Sequence, residues 1–170
     1  MRRVWVVVFT LLAAGCGAQT AGSASSSAVG DASRVDMCTI LTDAELASFG
    51  IELASRKQKN RLGEAGCGWV GQPFTLDLER GRDTVAQYRA RRDDPAFTSF
   101  ADNTVNGRFG ARLSVDRDRD DCTQLIDGGP VGLVVSVAQS ALYTGPPIDS
   151  CAEAMRIAQM IEPRLPKGGS

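Results

Sequence analysis

Two hydrophobic rhythms run along this chain of 170 residues. Phe74, Leu76 and Leu78 recur at every second position, with Thr75, Asp77 and Glu79 between them, as in a strand that buries one face. Phe109, Ala111, Leu113 and Val115 repeat that alternation against Arg108, Gly110, Arg112 and Ser114. Residues 131–138 are apolar at almost every position, which predicts a central strand covered on both faces or lying at an interface. Shorter strands are expected at Cys67-Gly68-Trp69-Val70 and between Cys122 and Ile126. After Ser150 the period changes: Met155, Ala158, Ile161 and Leu165 recur at spacings of three and four, one core-facing stripe on a helix that ends by Pro163 and Pro166.

Helix starts are written in capping residues. Thr42-Asp43-Ala44-Glu45 is a capping box, with Leu41 and Leu46 placed as a hydrophobic staple and Gly50 as the stop. Thr84-Val85-Ala86-Gln87 opens a second helix, expected to reach Arg92 before Pro95, and Ser150-Cys151-Ala152-Glu153 opens the third. The element order is then α, β, β, α, β, β, β, α. Cys67 with the Pro73 strand and a capped helix is echoed by Cys122 with the Pro130 strand and a capped helix. The expected fold is therefore α+β: a single domain in which helices pack on one antiparallel sheet, built from two β–β–α halves.

The chain opens differently. Met1-Arg2-Arg3 is followed by an apolar run from Val4 to Ala14, broken by Thr10 and closed by Leu12-Ala13-Ala14-Gly15-Cys16. Eleven helical residues reach about 16 Å, roughly half a bilayer core, so the run reads as a cleaved signal of residues 1–15. The small residues before Cys16 resemble a bacterial lipobox, which makes Cys16 the expected lipidation site. An ordinary secretory signal, cut after Gly15 or Ala18, is the alternative. Residues 16–35 are mostly Gly, Ala, Ser and Thr, a composition expected to stay disordered as a tether of about 23 Å. A globular domain is expected over 36–166, with a tail at 167–170.

Cysteine usage agrees with export. Cys38, Cys67, Cys122 and Cys151 remain in the domain, an even number that suits two disulfides in an oxidising compartment. Three pairings are possible. The equal separations favour Cys38 with Cys67 and Cys122 with Cys151.

Composition removes several function classes. The chain has 19 Lys and Arg against 20 Asp and Glu, and losing Arg2 and Arg3 leaves about −3, the wrong sign for a nucleic-acid partner. It contains no histidine, which removes Ser-His and Cys-His nucleophile pairs and H-E-x-x-H zinc sites. There is no P-loop, G-x-S-x-G or G-x-G-x-x-G. Asp116, Asp118, Asp120 and Asp127 match four ligand positions of a calcium loop, but Asp121 stands where the sharp turn needs glycine, and no metal is expected. Residues 56–61 and the group Arg80, Arg82, Arg89, Arg91 and Arg92 are locally basic. They are read first as a flexible loop and a wet helix face, and second as cations facing anionic headgroups. Residues 95–106 read as a loop carrying Phe97 and Phe100.

One family resemblance draws these signals together. The lipobox and tether lead into Cys38-Thr39-Ile40-Leu41-Thr42-Asp43-Ala44-Glu45-Leu46. Cys67-Gly68-Trp69, an N-G-R-F-G-A strand at 106–111 and a late Cys151 follow. The chain resembles actinobacterial envelope lipoproteins carrying the domain of unknown function 3558, over residues 36–165. The resemblance implies a membrane-anchored, disulfide-bonded α+β domain, and it carries over no catalytic residues. The expectation is a non-enzymatic extracytoplasmic lipoprotein without cofactor, held to the cell membrane through Cys16 and acting as an interaction module for an envelope protein. The alternative is a binding domain for a lipid or small apolar ligand.

Overall fold

The structure, a computed structural model, describes residues 29–61, 63–115 and 120–167. Its elements in chain order are α1 (Asp43–Ser48), β1 (Lys57–Arg61), β2 (Glu64–Trp69), β3 (Phe74–Arg80), α2 (Val85–Ala90), β4 (Ser99–Val105), β5 (Arg108–Ser114), β6 (Asp121–Asp127), β7 (Gly132–Gln139) and α3 (Ser150–Ile161). Short 3-10 turns sit at Leu53–Ser55 and Glu162–Arg164. All seven strands join one antiparallel sheet in the order β1-β2-β3-β7-β6-β5-β4. Two meanders therefore meet at β3 and β7, and β7 takes the centre.

Register decides what each face carries. Leu78 pairs with Val135 and Val135 with Gln124, while Leu76 pairs with Val137 and Val137 with Cys122. These side chains share the inner face, where they are buried under α3. Ala154, Ile157, Ala158 and Ile161 form the buried stripe of α3, and Met155 lies at its margin. The outer face carries Leu125, Ala111 and Leu113, covered by Val85 and Tyr88 of α2. Elsewhere it is polar: Thr123 and Ser136 share a hydrogen bond at 2.8 Å, and Lys59 pairs with Asp77 at 2.6 Å and Glu79 at 3.1 Å. Burial pulls the Lys59 amine down, and the two carboxylates more than offset it, so its pKa lies above the ordinary lysine value.

The α+β class and both disulfides, Cys38–Cys67 and Cys122–Cys151, are as expected. So are the capping boxes Thr42–Glu45 and Thr84–Gln87. Other details differ. Residues 57–61 are the edge strand β1 rather than a flexible loop, and 99–105 within the expected loop form the opposite edge, β4. Complete cover of β7 holds on one face only, because Val134, Ser136 and Ala138 are half-buried. The β–β–α echo extends to the two meanders but not to the helices, since α2 and α3 lie on opposite faces of the sheet. The N-cap of α3 is Asp149, whose carboxylate accepts from Ala152 N at 2.9 Å. Ser150 sits one residue inside and donates to Asp120 O at 2.7 Å, tying the helix to the start of β6.

The largest departure concerns residues 29–34, expected within the tether. Val29 forms a β-bridge with Lys167, and Ala32 is fully buried, its N–H donating to Gly128 O at 3.0 Å. Small side chains that lower a segment's hydrophobic gain also let it lie flush on the sheet end. The Ala32 methyl lies close over Gly128, where an added Cβ would stand 3.0 Å from it. Residues 29–38 thus form a strap across one end of the inner face.

Candidate functional site

The strap joins two arginines with different surroundings. Arg108 begins β5, placed by a tight hairpin turn in which Asn106 (φ 49°) and Gly107 (φ 87°) both take the left-handed conformation that Asn-Gly favours. Its Nε donates to Glu162 at 3.0 Å, Nη1 to Asp127 O at 3.1 Å and Nη2 to Pro166 O at 3.0 Å. Both charged side chains are almost fully buried, at 7% and 12% exposure. Asn106 Nδ2 reaches Gln159 O at 2.9 Å. Further along the motif, Gly110 leaves room for the reciprocal amide pair of Asn103 and buried Gln124, at 2.8 and 2.9 Å. A Cβ there would stand 2.5 Å from Leu125 O. The N-G-R-F-G-A segment is thus accounted for by folding needs.

At the other end of the strap lies a cleft of about 290 Å³ between residues 34–38 and the inner-face edge of β1, β2 and β3. Register sets Gln58 opposite Cys67, Asn60 opposite Ala65 and Ala65 opposite Arg80, so both amides and the guanidinium share one side of the sheet. The Cys38–Cys67 disulfide pins the strap at the cleft wall. Arg80 is half-buried, and its hydrogen bond is a long one, Nη1 to Val35 O at 3.5 Å. Arg34 closes the cleft from the exposed side. Asp36 lines it too, but its carboxylate turns back to accept Cys38 N–H at 2.9 Å. Among the described residues neither Arg34 nor Arg80 has an ion pair, as is also true of Arg82, Arg92 and Arg112, whereas Arg56, Arg89, Arg91, Arg108, Arg156 and Arg164 each have one. Arg34 does lie near enough to Asp31 to add, after the Ser33 hydrogen bonds, to the lowering of the Asp31 pKa. The arrangement offers hydrogen-bond donors and positive charge, which suits binding and orienting an acceptor-rich group.

The other candidates fall out separately. Cys16, the signal and residues 116–119 lie outside the described residues. Asp127, the last position of the calcium pattern, uses its carboxylate to accept Gly129 N–H at 2.9 Å. No group of metal-ligating residues occurs among the described residues. Phe97 and Phe100 pack together at 6.0 Å between ring centroids and join the cluster under α2. The basic group divides: Arg89 pairs with Asp102, Arg91 with Asp83, and only Arg80 enters the cleft. No helix among the described residues is long and apolar enough to cross a membrane. Sequence reasoning did not find the cleft, because its walls come from three segments far apart in the chain.

These features define a disulfide-bonded α+β domain on a single antiparallel sheet, with a donor-lined cleft at one end. Residues 11–164 match the family model described as protein of unknown function (DUF3558), and the chain belongs to that family. Neither the curated proteins nor the solved structures give a match.

Proposed function

We propose that the chain is a membrane-anchored lipoprotein on the extracytoplasmic face of an actinobacterial cell envelope, where it acts as a non-catalytic interaction module. The lipobox-like Leu12-to-Cys16 segment supports the anchor, and two disulfides suit an oxidising compartment. The observation that carries the binding role is the cleft under the strap, where Arg34 and Arg80, neither in an ion pair among the described residues, meet two amides. Such a lining holds a ligand rather than transferring its protons. A purely apolar ligand has less support. Among the described residues the apolar side chains fill two packed clusters, and charged and amide side chains share the cleft lining with Val35 and Met37.

The test is photo-crosslinking in intact cells. A crosslinking residue replaces exposed Gln58 in the cleft, or exposed Leu142 in the loop beyond the opposite end of β7. A discrete adduct from position 58 that position 142 does not give supports the reading. No adduct from position 58, or the same adducts from both, overturns it. In parallel, Cys16→Ala should release the protein from the membrane fraction, and retention would overturn the anchor.

A further inference from the structure

We infer that the cleft between Arg34 and Arg80 is a phosphoryl-group site, an inference that rests on the binding role proposed above. Arg80 is the key. Its row neighbours on the inner face are Ala65 and Leu133, neither of which offers a counter-charge. Half-burial removes part of its water, and a single long contact with Val35 O replaces little of what is lost. A guanidinium in that state favours an anion with oxygens set to its fork.

The number of donors selects the kind of anion. Two guanidinium groups and the amides of Gln58 and Asn60 line the same cleft, so the N–H donors available there outnumber what the two oxygens of a carboxylate can accept. A phosphoryl group presents a tetrahedral set of oxygens that fits a ring of donors from opposite walls. Asp36 also lines the cleft and keeps its charge while it accepts the Cys38 N–H, but the two guanidinium groups leave the lining with a net positive charge. The cleft is open and about 290 Å³ in volume, enough for the phosphoryl group and a few attached atoms, with the rest of the molecule outside. That chemistry has two sources, a phospholipid headgroup or a soluble phosphate compound.

Calorimetry on the full chain in neutral detergent separates them, with inorganic phosphate and water-soluble dihexanoyl phosphatidylglycerol as probes. Saturable binding of at least one probe is expected, weakened about tenfold or more by Arg80→Gln and by Arg34→Gln. It should be unchanged by Arg92→Gln, an exposed cation beyond α2. Arg34 is exposed, so its variant keeps the test valid if Arg80→Gln fails to fold. Binding of phosphate as well as lipid assigns the site to the phosphoryl group alone, and binding of lipid only assigns it to a headgroup. Absence of saturable binding, or equal weakening by all three substitutions, overturns the inference. If the probes fail while a crosslinker at position 58 still gives its adduct, the phosphoryl assignment falls and the interaction module stands.

Discussion

Arg108 and Arg80 lie under the two ends of one strap, at the same end of the same sheet face, and the chain treats them in opposite ways. Arg80 pairs with Leu133, Leu133 with Ile126 and Ile126 with Gly110, two residues from Arg108. Arg108 is sealed in with Glu162 and two carbonyls. Arg80 has no carboxylate partner among the described residues and opens on the cleft. A buried charge that is fully paired serves the fold, because its partners already satisfy it. One left half-covered and unpaired sacrifices some stability and keeps its binding capacity. The difference separates structural from functional arginines without reference to exposure alone.

The comparison breaks most sharply at Arg108. Arg108→Ala strands the Glu162 carboxylate in a site where it is 12% exposed. Such a loss costs about 3–5 kcal/mol, which chemical denaturation would register as a large fall in midpoint. A change below about 1 kcal/mol would show that the pair is not structural.

The disulfides give the next effect. Each closes a loop with a sequence separation of 29, so the chain-entropy model assigns each about 3–4 kcal/mol. Paired Cys→Ser substitutions should therefore lower stability by similar amounts. Their local consequences should differ, because only Cys38–Cys67 pins the strap at the cleft. Limited proteolysis should cut at 34–38 earlier when that bridge is removed, and no earlier when Cys122–Cys151 is removed. Equal cutting in both variants would show that the strap is held by its backbone contacts alone.

A smaller loss is expected at Gly110, where Ala would bring its Cβ against Leu125 O and the Asn103–Gln124 pair. Overpacking of this kind costs about 1–3 kcal/mol. By contrast, Arg80→Gln should stay within about 0.5 kcal/mol of the parent, since it removes no ion pair among the described residues. Thermal unfolding of the two variants side by side checks both. An Arg80→Gln loss as large as that of Arg108→Ala would erase the distinction between the two arginines.

What could be read in advance follows from where each signal resides. Thr42 with Glu45 and Thr84 with Gln87 are local patterns, and the helices start where those residues place them. Phe74, Leu76 and Leu78 alternate because one side of β3 is buried. The edge strands carry no such contrast. Lys57-Gln58-Lys59-Asn60-Arg61 is polar throughout, which protects an exposed edge and also hides the strand from periodicity. The cleft was less legible still. Arg34, Gln58 and Arg80 come together only through sheet register and a strap whose composition resembles a linker.

The subtlest effect concerns what anchors the strap's far side. Arg164, in the turn after α3, donates to Ile40 O and forms an ion pair with Glu45, the acidic member of the α1 capping box. The guanidinium, then the Thr42 backbone and hydroxyl, hold the Glu45 carboxyl at about 2, below its ordinary 4.5. A depressed folded-state value means that the contribution is present above the unfolded value and is lost as pH falls through the folded one. Stability should therefore decline from about pH 5 to about pH 2, and Arg164→Gln should flatten that decline by moving the folded value part of the way back. The Thr42 bonds remain in the variant, so the shift should be partial. Following the Glu45 side-chain carboxyl by NMR as acid is added reads this directly. A parent protein whose Glu45 titrates near 4.5 would show that the clamp is loose in solution, leaving the Cys38–Cys67 bridge and the bond from Ala32 to Gly128 to hold the strap.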